Sequence, residues 1–214
     1  AECMVLKRDV PGQVPVELGV DPAFSNGGDV SVIRERRGMV VGRVWRHQVP
    51  PEDLAPLIVT AIRQTGATRV KVDTTGGASF LAGDLKNRGT AGEHTAEIVP
   101  INFGAGACDA GKFVNARAEL WWNGRVLSRD RAWILTETED GTAGIDGRTY
   151  EDLKAPRFKS DTVGRIQVEP KDQVKKRLGR SPDGGDALLL AFYNPVEDTG
   201  WGGVVTGGVP HRRR

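Results

Sequence analysis

The sequence predicts an α/β domain on a mixed sheet: an antiparallel three-strand meander, then parallel strands, with helices on both faces. Three observations lead there. Apolar and polar residues alternate with period two through "VPVELGVDPA", and two further strand-like stretches follow it, joined by a charged turn. From Pro51 onward, helix-like and strand-like stretches take turns, which is the pattern of parallel strands covered by helices. The last strong element, "ALLLAFY", is apolar on every side and therefore belongs in the interior.

Each element follows from its residues. In "VPVELGVDPA", Val14, Val16, Leu18 and Val20 alternate with Glu17, Gly19 and Asp21, so a strand ends at Asp21, before Pro22. "GGDVSVI" and "MVVGRVW" read as a hairpin joined by a charged turn, "RERRG". "PPEDLAPLIVTAIRQTG" opens with Pro51 and acids, carries Leu54, Leu57, Ile58, Ala61 and Ile62 on one face, and closes at Gly66, as a helix does. "TRVKVD" is a strand ending at Asp73. "TTGGASFLAGDLKNRG" is a helix, "AEIVPINF" a strand, and "KFVNARAELWWNG" an amphipathic helix. Between Arg125 and Phe158 the pattern weakens: "RAWILTET" suits helix or strand, and the rest reads as loop. "TVGRIQVEP" is a strand and "KDQVKKRLG" a short basic helix. "RSPDGGDALLLAFY" is a helix with Ser181 at the cap and Pro182 in the first position. This order is that of the RNase H-like fold, and it spans residues 1–195. Residues 196–214, rich in Gly and ending in three arginines, are expected to be a flexible tail.

The chain has 214 residues, enough for one such domain with a sizeable core. Its formal net charge of +2 excludes neither nucleic acid nor a small acidic substrate, because local patches outweigh the sum. With two cysteines and no CxxC, neither a disulfide framework nor a zinc cluster is expected, and Cys108 reads as a loop thiol. No apolar run is long enough to span a membrane, and no signal peptide is visible. His47, His94 and His211 do not cluster.

The chemistry lies in the acids. Asp21 and Asp73 end strands that right-handed crossover places side by side, on the face opposite their apolar residues. Asp183 and Asp186 sit three apart in the first turns of the buried helix, so they share a face. An acid at a strand end is ordinarily a turn residue, and one at a helix start ordinarily a cap. Four carboxylates at one rim would repel, however, unless a cation neutralises them. Mg²⁺ or Mn²⁺, hard ions with oxygen ligands, suit that set. Two such ions could clamp a phosphodiester displacement.

"ELGVDPAFSNGGDVSVI", "VKVDTTGG" and "GRIQVEPKDQVKKRLGRSPDGGDALLLAFY" resemble the nuclease domain of phage terminase large subunits. The last block also resembles the final helix of Holliday-junction resolvases. The resemblance covers most of the chain. It implies a metal-dependent endonuclease acting on double-stranded DNA in the host cytoplasm, with the terminase ATPase domain, portal and small terminase subunit as partners. It assigns the metal-binding, catalytic acids to Asp21, Asp73 and Asp183. Asp186 matches a resolvase acid, and Asp29 a position that supports the site. No GxxxxGK[ST] loop is present, so the chain has no phosphate cradle with which to drive translocation.

The basic residues expected on the DNA are Lys171, Lys175, Lys176, Arg177 and Arg180 before the last helix, and Arg36 and Arg37 in the "RERRG" turn. Around the rim they would track phosphates without reading sequence. Trp121 and Trp122 read as packing residues. The rival readings are a junction resolvase, a non-catalytic DNA-binding or docking domain of the same fold, and an actin-like phosphate-binding fold, which would need a second, duplicated domain.

Overall fold

The computed structural model describes residues 14–23, 30–135 and 144–194. Its main sheet has five strands in the order β3-β2-β1-β4-β5. These are β1 Val16–Asp21, β2 Ser31–Arg37, β3 Val40–His47, β4 Arg69–Asp73 and β5 Glu97–Ile101. β1 pairs antiparallel with β2 and parallel with β4, so the strand direction changes at the centre of the sheet. In such sheets ligand sites form beyond the carboxyl ends of the strands next to that change. Asp21 and Asp73 are the last residues of those two strands.

Helices cover both faces. α1 (Leu54–Thr65) and α2 (Ser79–Thr90) pack on one, burying Leu18, Val20, Ile33, Ile58, Val70, Val72 and Leu85 in a single core. On the other lie α3 (Ala116–Arg129) and α6 (Asp183–Phe192), around Leu120, Trp121, Leu188, Leu190 and Phe192. Every residue of α6 is buried, as its all-round apolar sequence requires. α6 reaches the sheet over Gly19. A Cβ there would stand 2.1 Å from the Ala187 carbonyl oxygen, so only glycine admits the helix at this height. The expected mixed sheet with helices on both faces is therefore the fold observed.

Several local expectations change. The arginines of "RERRG" belong to β2, and the turn is Gly38–Met39. Two of its arginines find carboxylate partners in the sheet: Arg36 pairs with Glu17, and Arg37 with Glu35. In "TVGRIQVEP", only β7 (Ile166–Val168) is strand. It joins β6 (Phe158–Ser160) in a separate hairpin rather than the main sheet. The segment read as loop contains α4 (Gly147–Lys154), whose cap Asp146 accepts from the Thr149 amide at 2.7 Å. α5 is Lys171–Leu178. Cys108 is disulfide-bonded, which corrects the free loop thiol expected. Asp29, His211 and the 196–214 tail lie outside the described residues. Among those described, no helix is long and apolar enough to cross a membrane.

Candidate metal centre

β1 shows why its alternation matters. Val16, Leu18 and Val20 enter the core under α1, so Glu17, Gly19 and Asp21 must face α6. β4 repeats the pattern: Val70 and Val72 enter that core, while Lys71 and Asp73 face α6. Asp21 and Asp73 thus arrive together under the start of α6, where Asp183 and Asp186 stand. All four acids are at least 93% buried, since the most exposed of them, Asp183, is 7% accessible.

One ammonium lies among them. Lys171 Nζ is 2.8 Å from Asp21 Oδ2, 3.1 Å from Asp183 Oδ1 and 3.2 Å from Asp186 Oδ2. Lys171, expected on the DNA, bridges the carboxylates from the first position of α5. Asp73 is held from behind: its Oδ1 accepts from the Thr75 amide at 2.9 Å and the Thr75 hydroxyl at 2.6 Å. Asp186 Oδ1 accepts from the Trp121 indole N–H at 2.7 Å, with Arg117 Nε 3.6 Å away. The Ser181 hydroxyl donates to Asp183 rather than capping α6. The Gly184 amide in the first turn of α6 donates to Asp152 of α4 at 3.1 Å. Asp152 is fully buried and paired with Arg180.

The electrostatics follow from the count. Among the described residues, four carboxylates face two cations, Lys171 and Arg117. Burial drives the Asp21 carboxyl well above its ordinary range; Lys171 opposes this, while Asp183, Asp186 and Asp73 add to it. Burial also raises Asp73, against its two bonds from Thr75. Burial would raise Asp186 too, but Lys171, Arg117 and Trp121 outweigh it and hold that carboxyl low. Lys171 moves the other way: burial would lower it, yet Asp21, Asp186 and Asp183 keep it protonated far above the ordinary lysine range. That Asp21 and its partner Lys171 both rise is no contradiction, because several acids share one ammonium.

Do these residues fit a divalent metal? The donors are all carboxylate oxygens, which suits a hard ion. Their negative charge exceeds the cations present. Asp186 Oδ2 is buried without a hydrogen-bond partner. Among the described residues, however, no three such side chains form a ready ligand group. The ammonium of Lys171 stands between them, so metal entry requires Lys171 to withdraw. The fit is therefore one of donor type and charge.

The other basic residues divide. Arg36 is buried, and Arg37 donates to the Thr65 carbonyl at 3.2 Å. Arg36 lies opposite Glu17, four residues before Asp21, or about 13 Å along the strand. Arg36 and Arg37 therefore lie toward the end of the sheet far from the acids. Arg177 is bound to Glu169 and the Ala155 carbonyl, and Arg180 to Asp152. Lys175 and Lys176 are exposed on α5. Sequence reasoning missed Arg117, Trp121, Thr75 and Asp152. The signal for the first two was their i, i+4 spacing on one helix face.

No protein-family model and no curated protein matches the sequence. Solved structures do match. The nuclease domain of the large terminase subunit gp2 of bacterial virus Sf6 superposes with TM-score 0.71 at 18% identity, over 86% of this chain and 90% of that one. A lysine-to-alanine mutant of the same domain, with manganese and β-thujaplicinol, gives 0.69 at 18% identity over the same shares. The large terminase nuclease of thermophilic phage G20c, with bound magnesium, gives 0.58 at 16% identity, over 85% of this chain and 82% of that one. The chain thus has the fold of phage terminase nuclease domains.

Proposed function

We propose that this chain is a divalent-metal-dependent endonuclease domain that cleaves double-stranded DNA, working within a phage packaging machine in the host cytoplasm. The observation that carries the reading is the convergence of Asp21, Asp73, Asp183 and Asp186 at the carboxyl ends of β1 and β4, with more negative charge than their cations balance. The likeness to metal-bound terminase nucleases supports it. Asp21, Asp73 and Asp183 would hold Mg²⁺ or Mn²⁺, with Asp186 completing the set, and two ions suit the number of carboxylates. When bound, the metal supplies Lewis acidity for attack of water on phosphorus.

The chain's own residues prepare that step. Thr75 fixes one oxygen of Asp73 and leaves the other to face the rim. Lys171 holds the acids together while the site waits, then yields its place and leaves a positive charge beside the scissile phosphate. Lys175 and Lys176 grip phosphates without reading bases. The ATPase domain, portal and small terminase subunit are the expected partners.

The test is supercoiled plasmid incubated with the protein in Mg²⁺, in Mn²⁺ or in EDTA. Nicking or linearisation with either metal, and none in EDTA, is the expected result. Cleavage that persists in EDTA, or that survives Asp73→Asn at full rate, sinks the reading. Cleavage confined to four-way junctions would make the chain a resolvase instead.

A further inference from the structure

Asp186 is fully buried in the first turns of a helix with no exposed residue, where an unpaired carboxylate is costly. Two residues of α3 meet it. Trp121 donates its indole N–H to Oδ1 at 2.7 Å, a short bond of the charge-assisted kind. Arg117 Nε stands 3.6 Å from the same oxygen. The Trp121 ring cannot swing away. It is 3% exposed, and a Cβ on Gly185 would lie 2.9 Å from its edge, so α6 is notched to seat it. The Arg117 guanidinium lies 5.6 Å from the ring centroid, within cation–π range. It also donates to the Glu169 carbonyl at 2.8 Å, two residues before Lys171. Arg117 and Trp121 therefore tie α3 to α6 and to the start of α5. What remains of Asp186 is Oδ2, which has no hydrogen-bond partner and faces the Lys171 ammonium at 3.2 Å.

We infer that Arg117 and Trp121 are positioning residues that hold Asp186 by Oδ1, present Oδ2 to the acid rim, and so set the rim's affinity for divalent metal. The inference rests on the metal-site reading. A packing role alone would be filled by phenylalanine at position 121, which keeps the ring and removes only the N–H. Arg117 adds orientation as well as charge, because its guanidinium fork reaches Asp186 and Glu169 together.

The experiment follows the indole N–H signals of the full chain by NMR during a Mg²⁺ titration, with the Trp121 signal assigned on the wild-type protein by triple-resonance spectra. Mn²⁺ binding to wild type, Trp121→Phe, Arg117→Lys and Arg117→Met is measured by calorimetry. The Trp121 signal should move with Mg²⁺ and broaden away with Mn²⁺. Trp121→Phe should weaken Mn²⁺ binding about 10- to 100-fold with its melting transition retained, and Arg117→Met should weaken it more than Arg117→Lys. A folded Trp121→Phe protein with wild-type Mn²⁺ affinity overturns the inference. So does a wild type that saturates with Mg²⁺ while the Trp121 signal stays still, and this second measurement decides the matter if the variant does not fold. A wild type that binds no Mn²⁺ at all overturns the metal-site reading itself.

Discussion

β1, β4 and α6 carry two buried charged clusters, one at each end, built in opposite senses. At the carboxyl ends of the strands, Asp21, Asp73, Asp183 and Asp186 share Lys171 and Arg117. At the other end, the single carboxylate of Glu17 is shared by Arg36, Lys71 and Arg69. The shifts mirror each other. In the rim, acids outnumber cations, and both Asp21 and Lys171 are raised. At the far end, burial would raise Glu17, but Lys71 and Arg36 outweigh it and hold it below its ordinary value. Burial pushes Lys71 down to about 7, with Glu17 unable to compensate it fully because it serves the other cations as well. The far cluster is otherwise closed. Lys71 Nζ donates to the Ala191 carbonyl at 2.9 Å near the end of α6, and Arg36 lies 5.4 Å from the Phe192 ring centroid. The far cluster anchors the end of α6 with more cations than its one carboxylate balances. Among the described residues, the rim is unbalanced in the other sense, with more carboxylates than cations.

The largest expected effect separates activity from stability. Asp21→Asn, Asp73→Asn and Asp183→Asn should each abolish plasmid cleavage. Asp21→Asn should also leave the metal-free protein as stable as wild type or more so, because it removes one charge from a repelling set. Thermal unfolding in EDTA checks this. A fall in melting temperature would mean that the rim is a structural ion cluster like the one at the far end.

Glu17→Gln inverts the expectation. It strands Lys71 and Arg36 without their carboxylate, and breaking a buried pair in this way costs about 3–5 kcal/mol. Urea unfolding should show that loss. Next in size is the pH dependence of the same group. Because the folded-state pKa of Glu17 is lowered, its contribution is fully present above the unfolded value of 4.5 and is lost as pH falls through the lower folded value. Wild-type stability should therefore fall on acidification below about pH 4.5 more steeply than that of Glu17→Gln. Parallel curves would remove Glu17 from the account.

The two clusters were unequally legible in the sequence. Period-two alternation on β1 put Asp21 opposite Val20, and the same rule applies to Asp73 on β4, so the acids could be gathered from strand order alone. It puts Glu17 on that same face, yet a Glu in a strand gives no sign of which cations will reach it. "RERRG" misled for that reason. Four charges in five residues look like a solvated turn, and only Glu17, opposite Arg36 on β1, makes a buried strand tolerable for that arginine. Lys171 was hidden in the same way. As a lysine in a basic helix it looks like a phosphate ligand, and its place among the acids depends on how α5 docks. α4 was missed because its buried face is polar, with Thr149 and Asp152 inside, so no apolar stripe marks it.

The smallest expected effect tests where DNA runs relative to the two ends. Lys175 and Lys176 are exposed on the helix that delivers Lys171 to the rim, whereas Arg37 is 46% exposed at the far end and paired with Glu35. Removing one cation from the phosphate backbone should reduce the slope of log K against log salt by about 0.9. Lys175→Ala with Lys176→Ala should therefore lower the slope by about two units and weaken binding evenly across sequences. Arg37→Ala should leave the slope unchanged, since about 16 Å of strand separates its register partner Val16 from Asp21. Fluorescence anisotropy with a labelled duplex across a salt series measures both. If Arg37→Ala lowers the slope and the double lysine variant does not, DNA crosses the closed end of the sheet, and the acid rim must then serve some other phosphate.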